Sequence, residues 1–140
     1  MEIAVNEWGA KEVSDEELYG VECDILSPCA LGATINHMTL PMLKCRAVAG
    51  AANNQLLDDE CGQALFDRGI LYAPDFIING GGVINAAQEA FTVYNKENVL
   101  KQVENIYNTI TWIEEESKAK GIPEGIIARE FAENRIKNGL

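Results

Sequence analysis

The stretch DFIINGGGVINAAQEA, residues 75–90, decides how the fold is interpreted, because three adjacent glycines separate an apolar segment from an amphipathic one. The segment FIIN at residues 76–79 is typical of a short buried strand, and the pattern after the glycines predicts a helix from Val83 to about Tyr94. A turn between a strand and a helix needs only one glycine. Three glycines therefore indicate that a ligand approaches the backbone here, as ligands do at strand ends in open α/β sheets.

A dinucleotide fingerprint supports this ligand only weakly. Residues 80–85 nearly spell G-x-G-x-x-G, but Asn85 occupies the position of the last glycine, and no acidic residue ends a following strand. The alternative is a simple turn between strand and helix, with no ligand at all.

Two further apolar runs lie between turn signals before the glycines, CDIL at residues 23–26 and RAVAG at residues 46–50. Segments of helical character separate the three predicted strands, at residues 39–45 and 58–69. In the second of these segments, acidic residues open the helix and Gly69 closes it. Strands that alternate with helices predict an α/β fold with a parallel sheet.

Each predicted strand is followed by a loop of small or amide-bearing residues. SPCALGATIN at residues 27–36 leaves space beside the backbone, and GAANNQL at residues 50–56 offers side-chain donors and acceptors. The alternative for the amides is an Asx-turn with a helix cap, which is common in such loops. Because the carboxyl ends of parallel strands meet at one edge of a sheet, three such loops in succession predict a ligand site there.

The second half of the chain is predicted to be helical. From Lys96, apolar residues recur three and four positions apart, which predicts one stripe of a helix of about six turns. A last helix begins at Pro123 and Glu124, after a stop signal at Gly121. The opening segment MEIAVNEWGAKEV fits strand and helix spacing equally well. The apolar positions of the two long helices are Val99, Leu100, Val103, Ile106, Tyr107, Ile110 and Ile113 in the first, and Ile127, Phe131 and Ile136 in the second.

Length and composition predict one compact unit. The chain has 140 residues, of which 47% are hydrophobic and 24% are charged, and it shows no internal repeat. We expect a single domain over residues 1–140, with an α/β part at 1–95 and a helical part at 96–140. A net charge of −11 argues against nucleic acid or an anionic membrane surface as a partner. No apolar span or signal peptide is evident, so the expected location is the cytoplasm.

The sequence offers few candidates for catalytic or metal-binding residues. The four cysteines form no C-x-x-C pair and are predicted to be buried or half-buried thiols. His37 is the only histidine and is interpreted as a surface or capping residue, while Cys29 is expected to be structural unless it is a thiolate near a helix start. No carboxylate or histidine pair has ligand spacing. We therefore predict no catalytic residue and no metal site.

Three longer motifs carry a resemblance to a known family. They are YGVECDILSPCALGATIN at residues 19–36, AVAGAANNQL at 47–56 and GILYAPDFIINGGGVINAAQE at 69–89. Together they closely resemble the carboxyl-terminal part of the Glu/Leu/Phe/Val dehydrogenase superfamily, and its leucine dehydrogenase branch most of all. The similarity extends over about residues 3–137. It implies a truncated, partial Rossmann-like NAD-binding domain with a short, mostly parallel sheet, flanking helices and two carboxyl-terminal helices, and it assigns the ambiguous opening segment to the end of a helix.

The resemblance also implies a cofactor and residues that bind it. Enzymes of this superfamily oxidatively deaminate an L-amino acid to a 2-oxo acid and ammonia, and reduce NAD. Cys29 and Ala30 would line the nicotinamide side of the cofactor site. Asn54 would hold the cofactor or the polar end of the substrate, and Asn79 would act nearby.

The substrate implied by the resemblance is a branched-chain or other apolar L-amino acid. The wall that faces its aliphatic side chain would be formed by Gly81, Gly82, Val83 and Ala86. Ala86 stands where leucine enzymes of the family carry a larger apolar residue. The glycines would then let the backbone approach both nicotinamide and substrate.

Several groups of the complete enzymes are not among these 140 residues. The family's catalytic lysines and aspartate lie in an amino-terminal substrate domain, and its pyrophosphate loop and ribose-binding acid lie on the first two Rossmann strands. We therefore expect the chain alone to be inactive and to bind NAD weakly or not at all, with a separate amino-terminal fragment as a potential partner. The alternative is a non-catalytic module that binds a small ligand or a partner chain.

A homo-oligomer is expected on physical grounds. Without the first two strands of the family's sheet, the CDIL strand has an unpaired edge, and such an edge is a template for another chain. Part of the apolar stripe of the helix from Lys96 would also be exposed.

Overall fold

The computed structural model of the protein describes residues 2–139. A single parallel sheet of three short strands packs against helices, and two long helices follow it. The strands are β1 Ile25–Leu26, β2 Ala47–Val48 and β3 Leu71–Tyr72. The helices are α1 Glu2–Trp8, α2 Asp15–Leu18, α3 Asp59–Asp67, α4 Asp75–Ile78, α5 Gly81–Phe91, α6 Lys96–Lys120 and α7 Glu124–Asn138, with a 3-10 helix at Leu40–Met42.

The sheet has the order β1-β2-β3, and both pairs of strands are parallel. The predicted α/β fold, the strands within CDIL and RAVAG, and the helical start of the chain are confirmed. The 3-10 helix and α3 connect successive strands, as parallel pairing requires. The main core cluster lies between the sheet and these connections and includes Ile35, Val48, Leu65 and Tyr72.

The prediction of a strand at FIIN is wrong. The third strand is β3, and residues 75–78 instead form the short helix α4. Pro74 cannot donate to a sheet, but its carbonyl accepts bonds from the amides of Ile77 and Ile78, both at 3.0 Å. Asp75 in the first turn also suits the helix dipole. A run of three apolar residues does not distinguish a strand from a helical turn, and the proline decides here.

The glycine cluster consequently follows a helix and not a strand. Gly80 has a helical φ of −65°, and Gly81 and Gly82 form the first turn of α5. A Cβ atom added to Gly80 would lie 3.1 Å from the carbonyl oxygen of Ile77, whereas one added to Gly82 would meet no atom within 4 Å. The backbone turn therefore does not require a glycine at position 82.

The two long helices match their predictions. Asn95 caps α6 by accepting a bond from the amide of Asn98 at 3.1 Å, and Gly121, with a φ of +69°, ends it. A second core cluster joins the two helices through Ile113, Ile127 and Ala128. Three predicted stripe positions nonetheless remain exposed, namely Leu100, Tyr107 and Ile136.

The expected open edge of the sheet is present at β1, which is paired only with β2 among the described residues. Ile25 in this strand is 59% exposed. The homo-oligomer inferred from this edge and from α6 stays a prediction. No helix within residues 2–139 is both long enough and apolar enough to cross a bilayer.

Glu124 is a buried acid in the first turn of α7, with 6% of the residue exposed. Its Oε2 atom has no hydrogen-bond partner among the described residues. Burial raises the pKa of the Glu124 carboxyl, the carboxylate of Glu114 adds to the rise, and Lys118 opposes it. Since the raised pKa belongs to the folded state, the stability that Glu124 contributes is present at acid pH. This stability is lost as the pH rises from the pKa of the carboxyl in the unfolded chain through its higher pKa in the folded protein.

Glu124→Gln is therefore expected to raise the free energy of unfolding at neutral pH by about 1 kcal/mol, because no charge is then buried. The gain should shrink toward about pH 4, where the wild-type carboxyl is protonated. Glu130→Gln, at an exposed position of the same helix, is the matched control and should change little. Urea denaturation across this pH range measures all three proteins, and a Glu124→Gln variant less stable than wild type at neutral pH would contradict the account.

Candidate functional site

The loops that follow β1 and β2 meet the start of α5 at the carboxyl edge of the sheet. The amide of Ala52 donates to the carbonyl of Pro28 at 2.9 Å, and the amide of Ala33 donates to the carbonyl of Asn54 at 2.7 Å. The third contact joins the second loop to the residue before the glycines, since Asn79 Nδ2 donates to Asn53 Oδ1 at 2.6 Å. Two of the three predicted strand-end loops therefore meet at this edge, whereas the third segment, at the glycines, follows the helix α4 and not a strand.

Two residues at this edge adopt a left-handed backbone that non-glycine residues rarely use. Ala33 has a φ of 53° and Asn54 a φ of 52°, and they are the pair joined by the bond between the two loops. Asparagine tolerates this conformation, whereas for alanine it costs about 1 kcal/mol or more. Strain of this kind is typical of functional sites, and here it is held by backbone pairing between the loops.

The second loop is braced by Gln55, one of the polar side chains predicted there, and by Asp75, which was not predicted. Gln55 is fully buried, and its Nε2 donates to the carbonyls of Gly50 at 2.7 Å and Ala52 at 2.9 Å. The amide of Gln55 in turn donates to Asp75 Oδ2 at 3.2 Å. The Pro-Asp dipeptide at the start of α4 was the available signal for Asp75. The alternative in which an amide side chain of this loop caps the next helix is wrong, because the cap of α3 is Asp58.

Cys29 is exposed, which contradicts the prediction that all four thiols are buried or half-buried. The loop turns outward after Pro28, and Cys45 and Cys61 alone are fully buried. The Ser27 hydroxyl lies 3.4 Å from Cys29 Sγ and lowers the pKa of the thiol, and the backbone amide of Ala51 lowers it further. The Ala51 carbonyl accepts from Asn79 Nδ2 at 3.3 Å. Ala51 therefore links the thiol of Cys29 in the first loop to Asn79, just before α5.

This arrangement makes Cys29 the expected first target of a thiol reagent. With limiting iodoacetamide at neutral pH, Cys29 should be alkylated at least about tenfold faster than Cys45 or Cys61, because thiolate and access both favour it. Ser27→Ala should slow labelling of Cys29 alone, and peptide mass spectrometry over time measures both effects. Earlier modification of either buried cysteine would show that the loop is not arranged as described.

Four of the eight predicted cofactor and substrate residues line two cavities. Cys29 and Ala30 line a mainly apolar one of about 420 Å³. Asn79 and Val83 line another of about 830 Å³, together with Asn53. Asn54 is exposed beside the bond that links the two loops.

The proposed substrate wall occupies one exposed face of α5. Gly82, Val83 and Ala86 are all exposed, and positions 82 and 86 are one helical turn apart. Gly81 points elsewhere, because a Cβ atom added to it would lie 3.7 Å from the side chain of Val103 in α6. Three of the four predicted residues therefore share a surface, and the fourth packs between helices.

Comparison with known proteins now decides the family. The model of the Glutamate/Leucine/Phenylalanine/Valine dehydrogenase family matches residues 2–126. The chain belongs to this family. Leucine dehydrogenase from Bacillus cereus is 53% identical over 133 residues, which are 95% of this chain and 36% of that enzyme. L-tryptophan dehydrogenase from Nostoc punctiforme is 45% identical over 132 residues, or 94% of this chain and 37% of that enzyme.

Solved structures agree with this assignment. The crystal structure of L-tryptophan dehydrogenase from Nostoc punctiforme superposes with a TM-score of 0.91 at 43% identity, covering 98% of this chain and 42% of that one. A hetero-hexameric glutamate dehydrogenase from Thermus thermophilus, at 20% identity and a TM-score of 0.71, shares the fold over 98% of this chain and 35% of its own. The chain thus spans a little over a third of the length of the amino-acid dehydrogenases it matches.

The residues of this family member fit one end of a dinucleotide better than the other. Beside Cys29 and Ala30, the cavity is mainly apolar and holds the Thr34 side chain, whose Oγ1 is buried without a hydrogen-bond partner among the described residues. A mainly apolar slot suits an uncharged ring, and Lys11 is the one charged side chain among its lining residues. The net charge of −11 gives no comparable support for the phosphates.

Proposed function

We propose that these residues act as the carboxyl-terminal portion of an NAD-dependent L-amino-acid dehydrogenase of the leucine type. The observation that carries this proposal is the convergence of the two strand-end loops and the start of α5, in a chain 53% identical to leucine dehydrogenase over its matched length. In this role the chain supplies the nicotinamide side of the cofactor site and one wall of the substrate pocket.

The first loop would receive the nicotinamide end of NAD. Cys29 and Ala30 would pack against the ring, and the orphaned hydroxyl of Thr34 would donate to its carboxamide. Bound NAD supplies the hydride acceptor for oxidation of the amino acid. Asn54, held by its bond to Ala33, would orient the cofactor or the polar end of the substrate, and Asn79 would act beside it.

The exposed face of α5 would receive an apolar side chain of the substrate. Gly82 has no side chain, so the backbone of α5 is accessible there. Val83 is 73% exposed and presents an apolar surface beside it. Ala86 extends the same face. We propose that Gly81 lies behind this wall, against Val103 of α6, and makes no direct contact with the substrate.

Turnover is proposed to need catalytic groups beyond those of this chain. Lys11 lines the cavity beside Cys29, and Lys101 lines the one beside Asn79. We propose that neither of them polarises the substrate or relays a proton, and that the groups which do so belong to the amino-terminal portion. The 140 residues would therefore bind NAD weakly and act together with an amino-terminal portion, and assembly into a homo-oligomer would cover the open edge at Ile25.

The experiment is a complementation assay. The chain and the complementary portion of Bacillus cereus leucine dehydrogenase are purified separately, and NADH formation is followed with L-leucine and NAD. Activity is expected only on mixing, and Asn79→Ala should reduce it because the Asn53 contact is lost. Full activity of this chain alone would contradict the proposal, and a complex that binds NAD without turnover would favour the non-catalytic module.

A further inference from the structure

Three potential metal donors meet at the start of α3, outside the loops discussed above. They are a ring nitrogen of His37, a carboxylate oxygen of Asp58 and the Sγ atom of Cys61, and all lie within 4.8 Å of one another. Asp58 and Cys61 form a short D-x-x-C motif, whereas His37 lies in the loop after β1. The prediction of no metal site rested on the absence of a carboxylate pair or a histidine pair at ligand spacing. The set of one histidine, one aspartate and one cysteine comes together only in the folded chain.

The surrounding backbone holds the donors in position. Ile35 bridges the two segments, since its amide donates to the Gln55 carbonyl at 3.0 Å and its carbonyl accepts from the Leu57 amide at 2.9 Å. His37 and Asp58 follow this bridge closely on either side. Asp58 Oδ1 also accepts from the amide of Cys61 at 2.9 Å, which fixes the carboxylate over the first turn of α3.

The donor geometry approximates three corners of a zinc site. With Zn–N and Zn–O distances of about 2.1 Å and a Zn–S distance of about 2.3 Å, the corners of a tetrahedron lie about 3.3 to 3.6 Å apart. His37 Nε2 and Asp58 Oδ2 are 3.0 Å apart. The other separations, all under 4.8 Å, close to these values by rotation about side-chain bonds.

We propose that His37, Asp58 and Cys61 bind one divalent ion of the zinc class, with a solvent molecule in the fourth position. The mixed N, O and S donor set suits such an ion and not magnesium or calcium. A carboxylate and a thiolate together balance its charge. The fourth position faces solvent, because the side chains of His37 and Asp58 are 57% and 39% exposed.

Cys61 distinguishes this site from an ordinary ion pair with a helix cap. An ion pair with a helix cap would involve His37 and Asp58 alone, whereas here the Sγ atom of the buried Cys61 lies within 4.8 Å of a donor atom of each. On binding, the thiol proton passes to solvent and the sulfur forms a bond to the ion. The ion would then tie the loop after β1 to α3 and stabilise the fold.

Cobalt titration of the full chain under reducing conditions tests the proposal. We expect one Co²⁺ per chain, a thiolate-to-cobalt charge-transfer band, and a Kd no weaker than about 10 µM. Cys61→Ser should abolish the band, and His37→Gln, at an exposed position that tolerates change, should weaken binding at least about tenfold. Cys23→Ser is the matched control and should keep the band. Added Zn²⁺ should displace the cobalt and raise the unfolding temperature.

Several results would overturn the site. They are the absence of the band in the wild-type protein, its persistence in Cys61→Ser, or equal affinity in His37→Gln. Because His37→Gln alters an exposed side chain, its outcome remains informative even when Cys61→Ser fails to fold.

Discussion

Replacing Gly50 with alanine is expected to lower the free energy of unfolding by at least about 3 kcal/mol. A Cβ atom at this position would lie 2.1 Å from the carbonyl oxygen and 2.5 Å from the nitrogen of Pro28, so backbone must move. Pro28 cannot yield easily, because its carbonyl accepts from the Ala52 amide at 2.9 Å. Gly50 is thus one of the points at which the backbones of the first two loops touch.

Gly82→Ala is the matched control for this effect. Its added Cβ atom meets nothing within 4 Å, and the position lies in α5. The exchange should therefore stabilise the protein by about 0.5 to 1 kcal/mol, as alanine favours a helix over glycine. Urea denaturation measures the free energy of unfolding of both variants. An equal change in that free energy at the two positions would mean that the loops are not in contact as described.

Gly82→Val is expected to reduce turnover on the order of 100-fold in a chimaera in which this chain replaces the matching segment of Bacillus cereus leucine dehydrogenase. The space beside Gly82 is open in this chain, so the loss would come from obstruction of substrate and not from unfolding. The measurement is kcat/KM for L-leucine, with the unfolding temperature recorded in parallel.

Ala90→Val, at an exposed position of the same helix, controls for the cost of a branched residue in α5. It should leave kcat/KM nearly unchanged. Equal turnover in the Gly82→Val and parent chimaeras would show that Gly82 does not face substrate.

The long elements of the fold were predictable from sequence for a physical reason. The helix α6 carries seven apolar positions at helical spacing and ends at Gly121, and each signal points to the same structure. FIIN offered three apolar residues, too few to distinguish helical from strand periodicity, and Pro74 decided in favour of a helix. The role of the three glycines at residues 80–82 was likewise ambiguous. A sequence does not distinguish glycines in the first turn of a helix from glycines in a turn between two elements.

The site was predictable in outline but not in its contacts. Loops after parallel strands must meet at one edge of the sheet, so the convergence followed from the alternation of strands and helices. The pairing of Asn79 with Asn53 depends on packing between segments 26 positions apart. The bracing of Gln55 by Asp75 and the cluster of His37 with Cys61 depend on the fold in the same way, and no local pattern encodes them.

The most direct test of the central claim is L-leucine-dependent NAD reduction by the parent chimaera. A covalent join removes the need for two portions to associate, so activity reports on the site residues themselves. We expect turnover within about tenfold of the Bacillus cereus enzyme, a modest change of about 1.4 kcal/mol in barrier height. A folded chimaera that forms no NADH with any apolar L-amino acid would contradict the claim that these loops and α5 build a dehydrogenase active site.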